Sequence, residues 1–346
     1  MTNRSPRLTI VVPCYNEEEV LPETARRLGQ LLESLIASDR IDSASAACFV
    51  DDGSRDGTWR IIRDLRESSP HFSGIKLSRN RGHQNALMAG LLSVEGDLIV
   101  SVDADLQDDL TTIERMVAAA QAGSDIVYGV RSSRATDATM KRWTAQTYYG
   151  LLRALDVEIV FDHADFRLMS RRAIEALRKY DEVNLFLRAL IPQLGFPTSL
   201  VFYERAERFA GSSKYPLKKM LALAFEGVTS FSTRPLRLVT LLGTLISGVA
   251  LVLSIWALVV TLVMRATIPG WASTVVPIYL ISGVQLLCIG VIGEYVGKIY
   301  LETKRRPRFH ISDVLEPIDL TDSNACAIDP VGPVSDASVI TLDKTK

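Results

Sequence analysis

Leu98-Ile99-Val100-Ser101-Val102-Asp103-Ala104-Asp105-Leu106-Gln107 is the stretch on which the fold turns. Its first half is apolar and β-rich, the composition of a buried strand, and its second half carries two carboxylates and an amide. Side chains alternate along a strand, so Asp103 and Asp105 fall on one side of its end, and Gln107 follows if the chain stays extended. Oxygen ligands of this kind suit Mg²⁺ or Mn²⁺, which bind through one or two carboxylates together with substrate phosphates. The same letters also describe an acidic turn capping a helix at Thr111, for which Asp108 and Asp109 are placed. Alone, the run is a weak signal.

Its surroundings add weight. The hydrophobic pattern predicts strands over 8–12, 47–50, 74–77, 97–102 and 125–128, and helices over 17–36, 58–67, 83–94 and 111–121. Alternation of this kind implies an α/β domain with a mostly parallel sheet covered on both faces. Ligands of such sheets gather at the carboxyl ends of the strands. Pro13-Cys14-Tyr15-Asn16-Glu17, Asp51-Asp52, Asp103, Asp105 and Arg131 all lie at those ends.

The last third differs. No charged residue occurs over 238–264 or over 268–293, and a bilayer core takes about 20 apolar residues in a helix. Only Arg265-Ala266-Thr267 separates the two runs, so a two-span hairpin is expected. Arg234 and Arg237 precede it, and Lys298, Lys304, Arg305, Arg306 and Arg308 follow, which places both termini and the whole N-terminal domain in the cytoplasm. Leu217, Met220, Leu221, Ala224, Phe225, Val228 and Phe231 recur at helical steps and predict an interfacial amphipathic helix over 216–235. The expected order is therefore an α/β domain over 1–215, the interfacial helix, a hairpin over 236–297 and a partly disordered tail over 298–346. Leu8 to Pro13 is too short for a secretory leader. A net charge of −1 argues against a nucleic-acid partner, and four scattered cysteines indicate neither disulfides nor zinc.

Further segments stand in order along the chain: Val12-Pro13-Cys14-Tyr15-Asn16-Glu17-Glu18, Val50-Asp51-Asp52-Gly53-Ser54-Arg55-Asp56-Gly57-Thr58, Leu77-Ser78-Arg79-Asn80-Arg81-Gly82-His83-Gln84, Asp165-Phe166-Arg167-Leu168-Met169 and Gly211-Ser212-Ser213-Lys214-Tyr215. With the acidic run they resemble the family 2 glycosyltransferases of the GT-A fold. The likeness is greatest to the polyisoprenyl-phosphate glycosyltransferases, such as dolichol-phosphate mannose synthase and the bactoprenol glucosyltransferases.

The resemblance implies a nucleotide-sugar donor, a polyisoprenyl phosphate acceptor such as undecaprenyl phosphate, and inverting single displacement at a bacterial plasma membrane. It implies that Pro13, Tyr15 and Glu17 border the base and ribose and that Asp52, with Asp51 beside it, bonds to the base. Asp103, Asp105 and Gln107 would hold the divalent metal. Arg131 and Arg142 would face the acceptor phosphate, with Arg208, Ser213 and Lys214 in a loop closing toward the membrane, and Asp165 would lie near the reaction centre. Two departures stand out: Asp109-Leu110-Thr111 replaces the family's proline pair and glutamate, and Arg81 replaces an aromatic residue. A lipid-sugar flippase and a second copy of the chain are partners compatible with this reading. Rival readings are a processive polysaccharide synthase, disfavoured because Lys141-Arg142-Trp143 lacks the required glutamine, and a non-catalytic nucleotide-binding partner of a flippase.

Overall fold

The computed structural model describes residues 4–131, 163–183, 185–204 and 271–317, with scattered positions between 236 and 256. Strands β1 (Leu8–Cys14), β2 (Ala46–Asp51), β3 (Phe72–Leu77) and β4 (Leu98–Ser101) run parallel. Every residue of β1, β2 and β4 is buried, as near-continuous apolar runs require in a sheet covered on both sides. Helices α1 (Leu21–Ala37), α2 (Thr58–Ser68) and α4 (Thr112–Gln121) bury their apolar stripes on one face. Helix α3 (His83–Ser93) packs on the other. Gly90 seats it closely: a Cβ there would overlap Val11 and lie 2.8 Å from Cγ2 of Val50.

Three strands extend the sheet beyond β4. β5 (Ile126–Arg131) and β7 (Thr198–Tyr203) pair in parallel, and β6 (His163–Ser170) runs antiparallel between β4 and β5. β8 (Ile311–Leu315) joins the opposite edge, antiparallel to β3. The full order is β7-β5-β6-β4-β1-β2-β3-β8. From β1 the chain first builds outward to β2 and β3, then returns to place β4 on β1's other side. That reversal is a topological switch point, and it opens a crevice beyond the carboxyl ends of β1 and β4.

Several boundaries differ from expectation. α1 begins at Leu21, not Glu17, because the Glu17 carbonyl closes turns with the amides of Val20 and Leu21. β5 runs on to Arg131, so that arginine ends a strand. Residues 311–315, expected in a disordered tail, instead satisfy the open edge of β3. Five residues interrupted by Asp313 are too short to announce a strand, and the partner that orders them is remote in sequence.

The helix Trp271–Thr303 is 33 residues long, and within it Ile281–Thr303 has a mean hydropathy of 1.4 with none of that window buried. It is the one helix among the described residues long and apolar enough to cross a membrane. It continues ten residues past the predicted span end at 293. The first predicted span and the interfacial helix lie largely or wholly outside the described residues, so the two-helix hairpin is not described.

Candidate active site

Two loops meet at the switch point. Asn16, with a left-handed φ of 54°, donates its backbone N–H to Ser54 Oγ at 2.9 Å and accepts from the Arg55 N–H at 2.9 Å. The Glu17 N–H donates to Thr58 Oγ1 at 2.9 Å. Tyr15 stands 41% exposed above this lacing, whereas Pro13 is buried in β1 against Val50. Tyr15 and Glu17 are thus accessible in this segment, and Pro13 is not.

Asp51 and Asp52 are both buried. Oδ1 of Asp51 accepts from the Ser54 N–H at 2.9 Å, while Oδ2 is buried with no partner. Asp52 accepts from the backbone N–H groups of Arg81 at 2.6 Å and Gly82 at 2.8 Å. Gly53 permits the approach, because a Cβ there would sit 2.6 Å from the Arg79 carbonyl carbon, and its φ is +67°. Asp52, expected to meet a base, therefore ties β2 to the loop that carries His83. Burial raises its pKa, more than the two N–H groups and the charge of His83 lower it.

The acidic run does not stay extended. Leu106 adopts a φ of 59° and turns the chain, so Asp105 Oδ1 accepts from the Gln107 N–H at 3.2 Å. Gln107 is buried by that turn, and its Oε1 has no hydrogen-bond partner. Asp108 also turns inward, where Tyr203 donates a short hydrogen bond to it. The N-cap of α4 is Thr111, whose own N–H donates to Asp109 Oδ1 at 3.0 Å, and no side chain caps the helix.

β6 brings a second acid to the same edge. Asp165 Oδ1 accepts from Arg167 at 2.6 Å, and Arg188 bonds to both carboxylate oxygens at 3.3 and 3.2 Å. His83 Nε2 lies 3.3 Å from Asp165 Oδ2 and 3.6 Å from Asp103 Oδ1. Burial would raise the Asp165 pKa, but the His83 hydrogen bond and the charges of Arg167 and Arg188 hold it well below the usual range. Asp103 goes the other way. Burial and the neighbouring acids Asp165, Asp108 and Asp105 push it up to about 6 despite the opposing charge of His83. His83 itself is depressed by burial, yet Asp165 and Asp103 carry it above its ordinary 6.5. Arg131 completes the edge, with Nε 3.4 Å from Tyr203 Oη and Nη2 3.8 Å from Asp108.

His83, Arg188 and Tyr203 are members of this edge that were not assigned to it from sequence. His83 was legible only as part of a matching segment, and Arg188 reaches the edge from the short helix Leu187–Leu190 by tertiary packing alone. Arg142, Arg208, Ser213 and Lys214 lie outside the described residues. Among the described residues no three His, Cys, Asp or Glu side chains form a closed metal cage. The donor chemistry of Asp103, Asp105 and Gln107 is of the type a hard divalent cation takes. Their donors are all oxygen, the Gln107 oxygen is buried and unpartnered, and acids crowd Asp103 enough to raise it.

A model of glycosyl transferase family 2 matches residues 9–178. The chain is 47% identical to the uncharacterized glycosyltransferase YkoT of Bacillus subtilis, over 90% of this chain and 93% of that protein. It is 39% identical to the bactoprenol glucosyl transferase of Shigella phage SfX, over 88% of this chain and 98% of that protein. The chain belongs to glycosyl transferase family 2. Among solved structures it is similar to mannosyl-3-phosphoglycerate synthase from Rubrobacter xylanophilus, with 15% identity and a TM-score of 0.47 over 67% of this chain and 74% of that one. This glycosyltransferase gathers its acids and cations from the ends of β4, β5, β6 and β7 and the start of α3.

Proposed function

We propose that this glycosyltransferase moves a sugar from a nucleotide-sugar, UDP- or GDP-linked, to a polyisoprenyl phosphate, undecaprenyl phosphate in a bacterial plasma membrane. The observation that carries the proposal is the interleaving of acids and cations beyond the strand ends: His83 lies between Asp103 and Asp165, Arg131 beside Asp108, and Arg188 on Asp165. Anionic donor and anionic acceptor both need such a mixture. The relatives named bactoprenol glucosyl transferase, matched along nearly their whole length, and the exposed apolar helix Trp271–Thr303 support the lipid acceptor.

In this reading Tyr15 and Glu17 border the nucleoside, with Pro13 and Asp51 behind them. Asp103, Asp105 and Gln107 hold Mg²⁺ or Mn²⁺, which when bound neutralises charge on the departing nucleoside diphosphate. Arg131 orients the acceptor phosphate, whose oxygens match a guanidinium fork, and Arg142, Arg208, Ser213 and Lys214 belong to the same acceptor side. A phosphate oxygen attacks the anomeric carbon; the bond from that carbon to the diphosphate oxygen breaks, and the electron pair leaves with the nucleoside diphosphate. Configuration inverts. No general base is needed, because the phosphate is already an anion. Asp165, held at low proton affinity by His83, Arg167 and Arg188, is a poor base and serves to fix those cations. Catalysis then rests on alignment and on charge stabilisation.

The test supplies membranes containing the protein with undecaprenyl phosphate and a panel of radiolabelled UDP- and GDP-sugars. Label entering the lipid fraction with one donor fixes reaction and sugar together. Nucleotide binding without transfer from any donor would refute the proposal in favour of a non-catalytic nucleotide-binding partner.

A further inference from the structure

One of the links from the end of the membrane helix to the catalytic domain is a carboxylate. Oε2 of Glu302, one residue before the helix terminus, accepts the backbone N–H of Val183 at 2.9 Å. Just beyond the helix, Arg308 donates a short hydrogen bond to the Tyr180 carbonyl. The segment over 180–183 is thereby held from the membrane side at two points. Tyr180, Leu185 and Phe309 each pack against the core cluster that contains α3.

The same segment is held again at its far end, now by the active site. The Leu187 N–H donates to Gln84 Oε1 at 2.9 Å, and Gln84 adjoins His83 in the first turn of α3. Arg188 then bonds to both oxygens of Asp165. Only five positions separate the Val183 contact from Arg188. Leu187 and Leu190 are fully buried, so the short helix carrying Arg188 moves with its packing and not by side-chain rotation alone.

We infer that Glu302 is a positioning residue: the membrane helix, through Val183 and the 183–188 segment, sets where Arg188 and Asp165 stand. The reading rests on the proposed transfer reaction for its kinetic consequence, though not for the mechanical link itself. Its use is clear from the chemistry. An enzyme whose acceptor is presented by a bilayer gains if the reactive edge is held in fixed register with the helix that lies in that bilayer.

The experiment uses the full chain in lipid nanodiscs as wild type, Glu302→Ala, Glu302→Gln, Arg188→Lys and the Glu302→Ala/Arg188→Lys double variant. Amide hydrogen exchange over 183–190 and steady-state transfer are both measured. Glu302→Ala is expected to raise exchange over 183–190 and to lower kcat about tenfold to a hundredfold, with donor KM within about twofold of wild type. Glu302→Gln, which keeps an acceptor oxygen, is expected to restore both. The double variant is expected to be no slower than Arg188→Lys. Unchanged exchange in Glu302→Ala, a glutamine variant as impaired as alanine, or losses that multiply in the double variant would each overturn the inference. A wild type that transfers no sugar counts against the proposed function, while the exchange measurement still decides the coupling.

Discussion

Replacing Asp52 by asparagine separates two roles for one side chain. Its carboxylate accepts from the Arg81 and Gly82 N–H groups at 2.6 and 2.8 Å and is 2% exposed. Asparagine has one acceptor oxygen, so one N–H faces an amide NH₂ instead. The Gly82 N–H keeps a second acceptor in Asn80 Oδ1 at 3.2 Å, whereas the Arg81 N–H has none besides Asp52 among the described residues. A hydrogen bond to a charged group contributes about 1.5–3 kcal/mol. Part of that is returned, because burial raises the Asp52 pKa and a neutral amide escapes the cost of a buried charge. The net loss is about 1–2 kcal/mol, and at about 2–4 °C per kcal/mol for a domain of this size Tm falls by roughly 2–8 °C.

The functional consequence follows from what the loop carries. Arg81 and Gly82 immediately precede His83, so a loosened loop shifts the imidazole away from Asp103 and Asp165. Thermal unfolding of purified Asp52→Asn, with and without saturating nucleotide, and a nucleotide titration form the assay. The expected outcome is a lowered Tm in both conditions with the nucleotide Kd nearly retained. An unchanged Tm with nucleotide binding abolished would show that Asp52 contacts the base, and that the loop needs no anchor there.

Other perturbations test other parts of the edge. Asp105→Asn should abolish divalent-dependent transfer while leaving membrane insertion intact; full activity would sink the metal assignment. Arg131→Ala should raise the KM for the lipid acceptor by about tenfold with donor binding unchanged, and a defect confined to nucleotide binding would contradict its role. In metal-free protein the His83 imidazole should titrate above its ordinary 6.5, so the stability it contributes is complete below 6.5 and is lost as pH rises through the higher folded value. Mg²⁺ held by Asp103 should lower that midpoint in an NMR titration, and no response at saturating Mg²⁺ would refute Asp103 as a ligand. Gly90→Ala should cost about 1–3 kcal/mol by overpacking, because its Cβ would overlap Val11; wild-type Tm would refute that packing.

What sequence could and could not reveal follows the range of the interactions. β1, β2 and β4 were legible because a strand buried on both faces must be an uninterrupted apolar run, and each run ends on the acid or turn residue that lines the crevice. Arg188 was not legible. Its helix has four residues, and its contact to Asp165 depends on β6 lying antiparallel beside β4. β8 was hidden for the same reason, since its partner β3 is more than two hundred residues earlier in the chain.

Gln107 is the instructive case, because strand alternation and the fold place it differently. Strand alternation would have carried it outward with Asp103 and Asp105, but the left-handed turn at Leu106 carries it inward and buries it. A buried amide oxygen with no partner costs about 1–3 kcal/mol. Asp103 is raised by the acids around it, which is a second unfavourable arrangement within the same few residues. A divalent cation, if these oxygens held it, would relieve both at once. Apo protein should therefore gain stability from Mg²⁺ or Mn²⁺ even without a nucleotide, and Gln107→Leu, which removes the orphaned oxygen, should raise apo stability while shrinking that gain. If Gln107→Leu leaves the metal-induced rise in Tm unchanged, the amide is not a ligand and its burial must be explained by packing alone.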